Sequence, residues 1–101
     1  MLRRGVVVHG TGELTVPCAI LDSSSGGARA QLASLAPVGL PTFLIDLTDG
    51  VAFRARRAWT KGGTLGLQFQ ERFDLLQPAA AGPPVLRRLW LESIRLDGAD
   101  D

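Results

Sequence analysis

The chain has 101 residues, with 11 lysines and arginines against 10 aspartates and glutamates, so its near-zero net charge favours no particular class of charged partner. Hydrophobic residues make up 46% of the sequence and charged residues 21%, which excludes a disordered chain and is typical of one small folded domain. The single cysteine excludes an intramolecular disulfide, and no apolar run resembles a signal peptide or approaches the roughly 18 residues of a membrane span, so a cytoplasmic location is expected.

The amino-terminal part of the chain predicts two strands. The first covers residues 5–10, where three valines follow one another, and the second covers residues 13–22. The sequence Gly10-Thr11-Gly12 separates them and is typical of a turn. Pro17 lies inside the second strand, and because proline has no backbone N–H to donate, it indicates an edge, a bulge or a bend at that point.

Four further segments show the alternation of apolar and polar residues that is typical of a strand with one buried face. They cover residues 28–33, 42–47, 51–60 and 64–70. Asp49-Gly50 and Lys61-Gly62-Gly63 supply tight turns, whereas residues 37–41 predict a loop. The alternation breaks next to Trp59, as it would at a β-bulge.

Six short strands joined by turns predict an all-β fold, a six-stranded antiparallel β-barrel. Apolar residues at helical spacing, among them Leu89, Trp90 and Ile94, predict a C-terminal α-helix that packs against the barrel or against a second subunit. We expect the chain to divide into four parts. A barrel domain with an N-terminal arginine segment covers residues 1–76, and a linker covers residues 77–84. A helix covers residues 85–96, and a disordered acidic tail covers residues 97–101.

The segment Asp-Ser-Ser-Ser-Gly-Gly, residues 22–27, follows the second predicted strand. Turn chemistry favours all of these residue types, so a hairpin turn alone would explain them. The segment also fits the D/N-x-S-x-x-G motif of PilZ domains, with Asp22, Ser24 and Gly27 at the three defined positions. Its surroundings match that family as well, in the segments Cys18-Ala19-Ile20-Leu21, Gly27-Ala28-Arg29-Ala30-Gln31-Leu32, Trp59 and Gly66-Leu67-Gln68-Phe69. Over residues 3–70 the chain therefore resembles a PilZ domain.

PilZ domains are bacterial receptors for cyclic di-GMP, so the resemblance implies a signalling protein that binds this nucleotide and relays it to an unidentified protein effector. Arginine can fork onto a phosphate or onto O6 and N7 of guanine, and a carboxylate can accept from the N1/N2 edge of the base. Glycine lets a ligand approach the main chain. The resemblance implies these ligand-binding residues: Arg3, Arg4, Asp22, Ser24, Gly27, Arg29 and Trp59.

Some of these residues have a second interpretation that depends on the fold alone. Arg29 points away from the alternating apolar face, so it either faces solvent or lies at the rim of the ligand. Trp59 is either a core residue with an exposed edge or a stacking platform. Arg54 and Arg56 share a predicted solvent-facing side, where we expect them to contribute solubility.

The N-terminal segment departs from the family pattern. PilZ domains carry an R-x-x-x-R motif there, but Arg3 is followed four residues later by Val7 and Arg4 by Val8. Arg3 or Arg4 occupies the place of the second arginine, and the first falls before Met1. Losing one bidentate arginine contact is expected to cost about 1–3 kcal/mol of binding free energy. The alternative is therefore a PilZ-like protein–protein interaction module that no longer binds nucleotide, in which the apolar helix contacts the partner or forms a homo-oligomer.

Other classes of function find little support in the sequence. His9 stands alone in an apolar strand, where a structural role is expected, and Cys18 is expected to be a small buried residue. No arrangement of nucleophile, base or metal ligands in the sequence indicates an enzyme or a cofactor. A barrel that binds single-stranded nucleic acid would carry a basic surface with exposed aromatic residues, which the near-neutral charge disfavours. No nucleic-acid partner is expected.

Overall fold

Six antiparallel strands close into a barrel, and one helix packs against its outside. The computed structural model describes residues 2–12, 14–34 and 41–99, with side chains described as far as residue 95. The strands are β1 (Arg3–His9), β2 (Leu14–Ser23), β3 (Gly27–Leu32), β4 (Pro41–Asp46), β5 (Val51–Lys61) and β6 (Thr64–Asp74). They pair in the order β1-β2-β3-β6-β5-β4, and β4 pairs back to β1. A short 3-10 helix (Pro78–Ala80) precedes α1 (Pro84–Ala99). The predicted six-stranded barrel with a C-terminal helix is confirmed.

Strand β6 continues to Asp74, although the sequence predicted its end at residue 70. Gln70 is an extra residue between Phe69 and Glu71, which pair with consecutive residues of β5. Such a bulge shifts the alternation by one position, so the second half of the strand presents its apolar residues on the other face. The broken alternation therefore marks a bulge inside the strand and not its end.

Pro17 lies inside β2, opposite Val6 of β1. Its carbonyl oxygen accepts a hydrogen bond from the backbone N–H of Ala33, at 2.9 Å, one residue beyond the end of β3. The N–H and C=O of a strand residue point to the same side, so the donor that proline lacks would also have faced the end of β3. At this position β2 is an edge, as the sequence indicated, within an otherwise closed barrel.

The C-terminal third differs from its predicted boundaries. Helix α1 begins at Pro84 and extends to Ala99, whereas the sequence placed the helix over residues 85–96 and a disordered tail over 97–101. Residues 100 and 101 lie outside the described residues, as do residues 37–40 of the predicted loop. The predicted linker over 77–84 contains the 3-10 helix and packs against the barrel through buried Ala81.

Two separate clusters of buried apolar side chains stabilise the fold. The first fills the inside of the barrel and includes Val7, Ile20 and Leu44. The second lies outside the barrel, beneath α1, and includes Val6, Val8, Phe43, Ile45, Phe73, Leu86 and Trp90. Strand β1 is buried on both faces because it contributes to both clusters, which explains why its valines are consecutive and not alternating. Cys18 belongs to the inner cluster, where burial raises the pKa of its thiol to about 12.

Helix α1 directs its apolar stripe onto its own barrel. Leu86 is fully buried and Trp90 is 9% exposed, and the indole Nε1 of Trp90 donates to the carbonyl oxygen of Leu47 at 3.2 Å. Arg87 adds a hydrogen bond from its Nε to the carbonyl oxygen of Leu75 at 3.1 Å. Of the two arrangements left open by the sequence, the helix packs against the barrel. No helix among the described residues is long and apolar enough to cross a membrane.

His9 is a buried histidine at the end of β1. Its side chain is 6% exposed, its Nδ1 has no hydrogen-bond partner among the described residues, and burial lowers its pKa below the ordinary value of 6.5. The unfolded chain therefore takes up a proton near pH 6.5 that the folded chain resists, and stability falls as the pH drops below 6.5. We expect a loss of at most about 1.4 kcal/mol per pH unit in this range.

Urea denaturation at pH 7.5 and pH 5.5 measures this effect. His9→Gln, which cannot titrate, is expected to lose less stability over the interval than the natural chain. Equal losses in both proteins would contradict a role for His9 in the pH dependence.

Candidate functional site

A bulge in β2 turns Asp22 to the outside of the barrel. Ile20 pairs with Ala30, and both are buried, whereas Asp22 pairs with Arg29, and both are exposed. Leu21 is the extra residue between these two pairs. If β2 were regular and had no bulge, Leu21 would pair with Arg29, and the two-residue period of the strand would direct Asp22 into the barrel together with Ile20. The bulge thus places a carboxylate on the outer surface at the point where the D-x-S-x-x-G segment begins.

Asp22 and Arg29 form a cross-strand ion pair. Arg29 donates from Nε to Oδ2 of Asp22 at 2.7 Å, and its Nη2 lies 2.6 Å from the same oxygen. The hydrogen bond from the Arg29 side chain holds the pKa of Asp22 below its ordinary value, so the carboxylate is charged at neutral pH. Because both side chains are more than half exposed, the pair contributes little to stability. It orients the two charged groups side by side on the surface.

The turn from Ser24 to Gly27 is held by its own backbone and by β6. Ser24 N–H donates to the Gly27 carbonyl oxygen at 2.8 Å, and Phe69 N–H donates to the Gly26 carbonyl oxygen at 2.9 Å. A Cβ on Gly27 would lie 2.3 Å from the carbonyl oxygen of Leu67. Gly27 is therefore required by the close approach of β3 and β6, whether or not a ligand also lies against it.

Trp59 lies flat over a glycine of the neighbouring strand. A Cβ on Gly66 would lie 2.1 Å from the indole Nε1 of Trp59, so only glycine leaves room for the ring there. The indole is nonetheless 43% exposed. Trp59 is thus a surface residue packed on the barrel, and it pairs with Gly66, which in turn pairs with Arg29. Asp22, Arg29, Gly66 and Trp59 form one row across four neighbouring strands.

The row borders a shallow surface depression of about 400 Å³, which we call the outer depression. Five of the seven residues assigned by the resemblance line it together: Asp22, Ser24, Gly27, Arg29 and Trp59. A volume of this size lies within the range of small-molecule sites, which is roughly 300–1,000 Å³. The structure thus brings carboxylate, guanidinium, hydroxyl, bare backbone and indole together on one surface, from segments up to 37 residues apart in the sequence.

Arg3 lies at the end of the barrel and contacts the rim of the outer depression through Ser23, which lines it. Its Nε donates to Oδ2 of Asp46 at 2.8 Å, and its Nη2 donates to Oγ of Ser23. Asp46 is 1% exposed and also accepts from the backbone N–H groups of Thr48 and Asp49, at 3.1 and 3.2 Å. Arg3 therefore compensates a buried carboxylate and contacts the residue next to Asp22.

Arg4 is exposed and lies on the face of β1 opposite to that of Arg3, because successive side chains of a strand alternate. It pairs with Ala19 of β2. The two arginines, which the resemblance assigns jointly to the ligand, therefore leave the strand in different directions.

A second depression of about 450 Å³ lies on the other side of the same turn. Its apolar floor is the stacked pair Phe53 and Phe69, with ring centroids 3.9 Å apart and planes inclined by 5°. Ser24 lines both depressions, so the turn separates them. The sequence did not indicate this depression or a place for Phe53 in its lining. The alternation of β5 predicted only that Phe53 is an apolar residue on the buried face of the strand.

The chain was compared with models of protein families, with curated proteins and with solved structures, and no match was found in any of the three. The class that the structure defines is a closed six-stranded antiparallel barrel with a C-terminal helix and a polar outer depression. Among the described residues, no three His, Cys, Asp or Glu side chains are grouped so that they could hold a metal ion.

Proposed function

We propose that this protein binds cyclic di-GMP in the outer depression and relays the signal to a protein effector, as its resemblance to PilZ domains implies. The observation that carries the proposal is the convergence of Asp22, Ser24, Gly27, Arg29 and Trp59 on one surface. A hairpin turn alone would explain the composition of the D-x-S-x-x-G segment. It would not explain why a strand bulge directs Asp22 outward, beside an arginine and near an exposed indole.

The chemistry of these side chains suits a ligand with two guanines and two phosphates. The Asp22 carboxylate is charged and can accept from the N1/N2 edge of guanine, since a carboxylate has about four acceptor positions. Arg29 uses one edge of its guanidinium on Asp22 and keeps further donors for a phosphate or for guanine O6 and N7. The exposed face of Trp59 offers a surface on which a base can stack.

The two N-terminal arginines contribute differently in this proposal. Arg4 lies on the outer face of the barrel, and we assign it to the ligand. Arg3 acts indirectly, because its contacts with Asp46 and Ser23 fix the start of the turn that contains Ser24. Binding would then order the N-terminal segment against the barrel, and the changed surface would contact the effector.

Isothermal titration calorimetry with cyclic di-GMP at tens of micromolar protein tests the proposal. Asp22→Ala is expected to weaken binding by about tenfold or more, because one charged hydrogen-bond acceptor is lost from the site. Glu92→Ala is the matched control, since it removes the same charge from an exposed position on α1, where Glu92 pairs only weakly with Arg88 at 3.9 Å.

Amide NMR shifts at residues 22–27 locate the ligand in the same samples. No heat with the natural chain, together with unchanged amide shifts at these positions, would overturn the proposal. An equal loss of affinity in Asp22→Ala and Glu92→Ala would show that the charge of the protein matters and the position does not.

The second candidate is a PilZ-like interaction module without nucleotide binding. The observation that favours it is the engagement of Arg3 by the buried Asp46, which removes one arginine from direct contact with a ligand. In this case Asp22→Ala and Arg4→Ala would leave effector binding intact. Trp90→Ala would not separate the two candidates, because Trp90 belongs to the core beneath α1. Exposed Leu91 on α1 is the better position for testing a contact with a partner or a second copy.

A further inference from the structure

A second row of residues runs beside the row that ends in Trp59. Gly27 pairs with Gln68, and Gln68 pairs with Arg56 of β5. Gln68 and Gly66 are two residues apart on β6 and therefore face the same side of the barrel. The Gly27-Gln68-Arg56 row thus lies on the outer face, next to the row of Asp22, Arg29, Gly66 and Trp59.

A bulge in β5 brings Arg56 onto the same face as Trp59. Residues three apart on a regular strand point to opposite faces. Here Arg56 faces Gln68 and Trp59 faces Gly66, and the register shifts between Arg57 and Trp59. The extra residue, Ala58, itself lines the outer depression. The result is an arginine and an exposed indole side by side, with Arg29 two strands away.

The guanidinium of Arg56 is held toward the neighbouring strand. Its Nε donates to Oε1 of Gln68 at 3.0 Å, which places the group on the outer face between β5 and β6. Next to it, the indole of Trp59 covers Gly66, so this ring forms the neighbouring surface over β6. Arg29, which pairs with Gly66, and Arg56, which precedes Trp59 on β5, therefore both lie next to this ring, one on the β3 side and one on the β5 side.

We propose that Arg56 is a ligand-binding residue that supplies a further arginine contact of the site, in addition to those of Arg29 and Arg4. This inference rests on the proposed function, because it names a further residue for the same ligand. Cyclic di-GMP carries two phosphates, and Arg29 together with Arg56 offers two guanidinium groups next to the exposed indole of Trp59, on which a base can stack.

Arg54, two residues earlier on the same strand, has a different environment. Its Nε donates to Oε1 of Glu71 at 3.3 Å, and its guanidinium lies over the rings of Phe43 and Phe73, at 5.1 and 5.9 Å from their centroids. Arg54 is thus engaged above the aromatic cluster beneath α1. The sequence predicted the same solubilising role for Arg54 and Arg56. In the structure Arg54 contacts Glu71 and two aromatic rings, whereas Arg56 contacts Gln68.

Calorimetry with cyclic di-GMP on Arg56→Ala, Arg56→Lys and Arg88→Ala tests the inference. Arg56→Ala is expected to weaken binding by about tenfold or more, since a charge-assisted bidentate contact is lost. Arg56→Lys keeps the charge but loses the planar fork, so an intermediate affinity is expected. Arg88→Ala removes the same charge from an exposed helix position and is expected to bind as the natural chain does.

The Nε–H resonance of Arg56 gives a direct readout in the natural protein. It is expected to shift on saturation with cyclic di-GMP, whereas that of Arg88 is expected to stay unchanged. Tight binding by the natural chain with unchanged affinity in Arg56→Ala would overturn this inference and leave the proposed function standing. Absence of binding by the natural chain would overturn both.

Discussion

Replacing Asp46 with alanine is expected to lower the free energy of unfolding by about 3 kcal/mol, the low end of the range for breaking a buried charge pair. Asp46 accepts from Arg3 and from two backbone N–H groups, and the substitution leaves these partly buried donors without their acceptor. The value is at the low end because Arg3 is 34% exposed, so water compensates part of its lost contact. Urea denaturation at neutral pH measures the change.

Arg3→Ala and the double variant separate the structural role of Arg3 from a role in ligand binding. We expect Arg3→Ala to destabilise the barrel, and we expect its effect and that of Asp46→Ala to be non-additive because the side chains share a hydrogen bond. If Arg3 positions the turn through Ser23, cyclic di-GMP affinity falls in Arg3→Ala and in Asp46→Ala. Lost affinity in Arg3→Ala alone, with stability unchanged, would instead show that Arg3 contacts the ligand directly.

Replacing Trp90 with alanine is expected to cost about 3–5 kcal/mol of folding free energy, the range for deleting a large buried aromatic side chain. Trp90 is 9% exposed, fills the cluster between α1 and the barrel, and donates to the Leu47 carbonyl oxygen. Trp90→Phe retains most of the packing and loses the hydrogen bond, so a smaller loss of about 1–2 kcal/mol is expected. Thermal or urea denaturation of the three proteins gives both values.

Leu91→Ala is the matched control for Trp90, because Leu91 is its neighbour on α1 but is 39% exposed. It is expected to change stability by about 0.5 kcal/mol or less, as is usual for surface positions. If α1 instead joined two copies of the chain, Trp90→Ala would dissociate an oligomer without unfolding the barrel. Size-exclusion chromatography alongside the denaturation experiment distinguishes these results.

Much of the fold follows from local patterns. The alternating segments predicted five of the six strands to within about two residues at each end, because burial on one face of a strand imposes a two-residue period on the sequence. The tight turn at Asp49-Gly50 follows from local chemistry in the same way, since Gly50 has a φ of 67°, which glycine adopts easily. The stripe that includes Trp90 and Ile94 predicted α1 because a helix buries one face at its own period.

The site is only partly predictable from such patterns. The D-x-S-x-x-G segment and its neighbours indicated Asp22, Ser24, Gly27, Arg29 and Trp59, and the structure does bring these five together. The roles of the arginines could not be assigned, because they depend on residues distant in the sequence. Arg3 meets Asp46 across 43 residues, and Arg56 meets Gln68 only through the β5–β6 register.

By itself, the sequence determined the strands, the turns, the helix and a set of polar residues near one turn, all of which depend on local periodicity and turn chemistry. Tertiary structure decided which side of the barrel is faced by the residues next to a bulge or at the end of a strand. The extra residues Leu21 and Ala58 place Asp22 and Trp59 on the outer face, whereas Arg3 points to the end of the barrel. A bulge is visible only in the register between two strands, and register is set by long-range packing of the whole barrel.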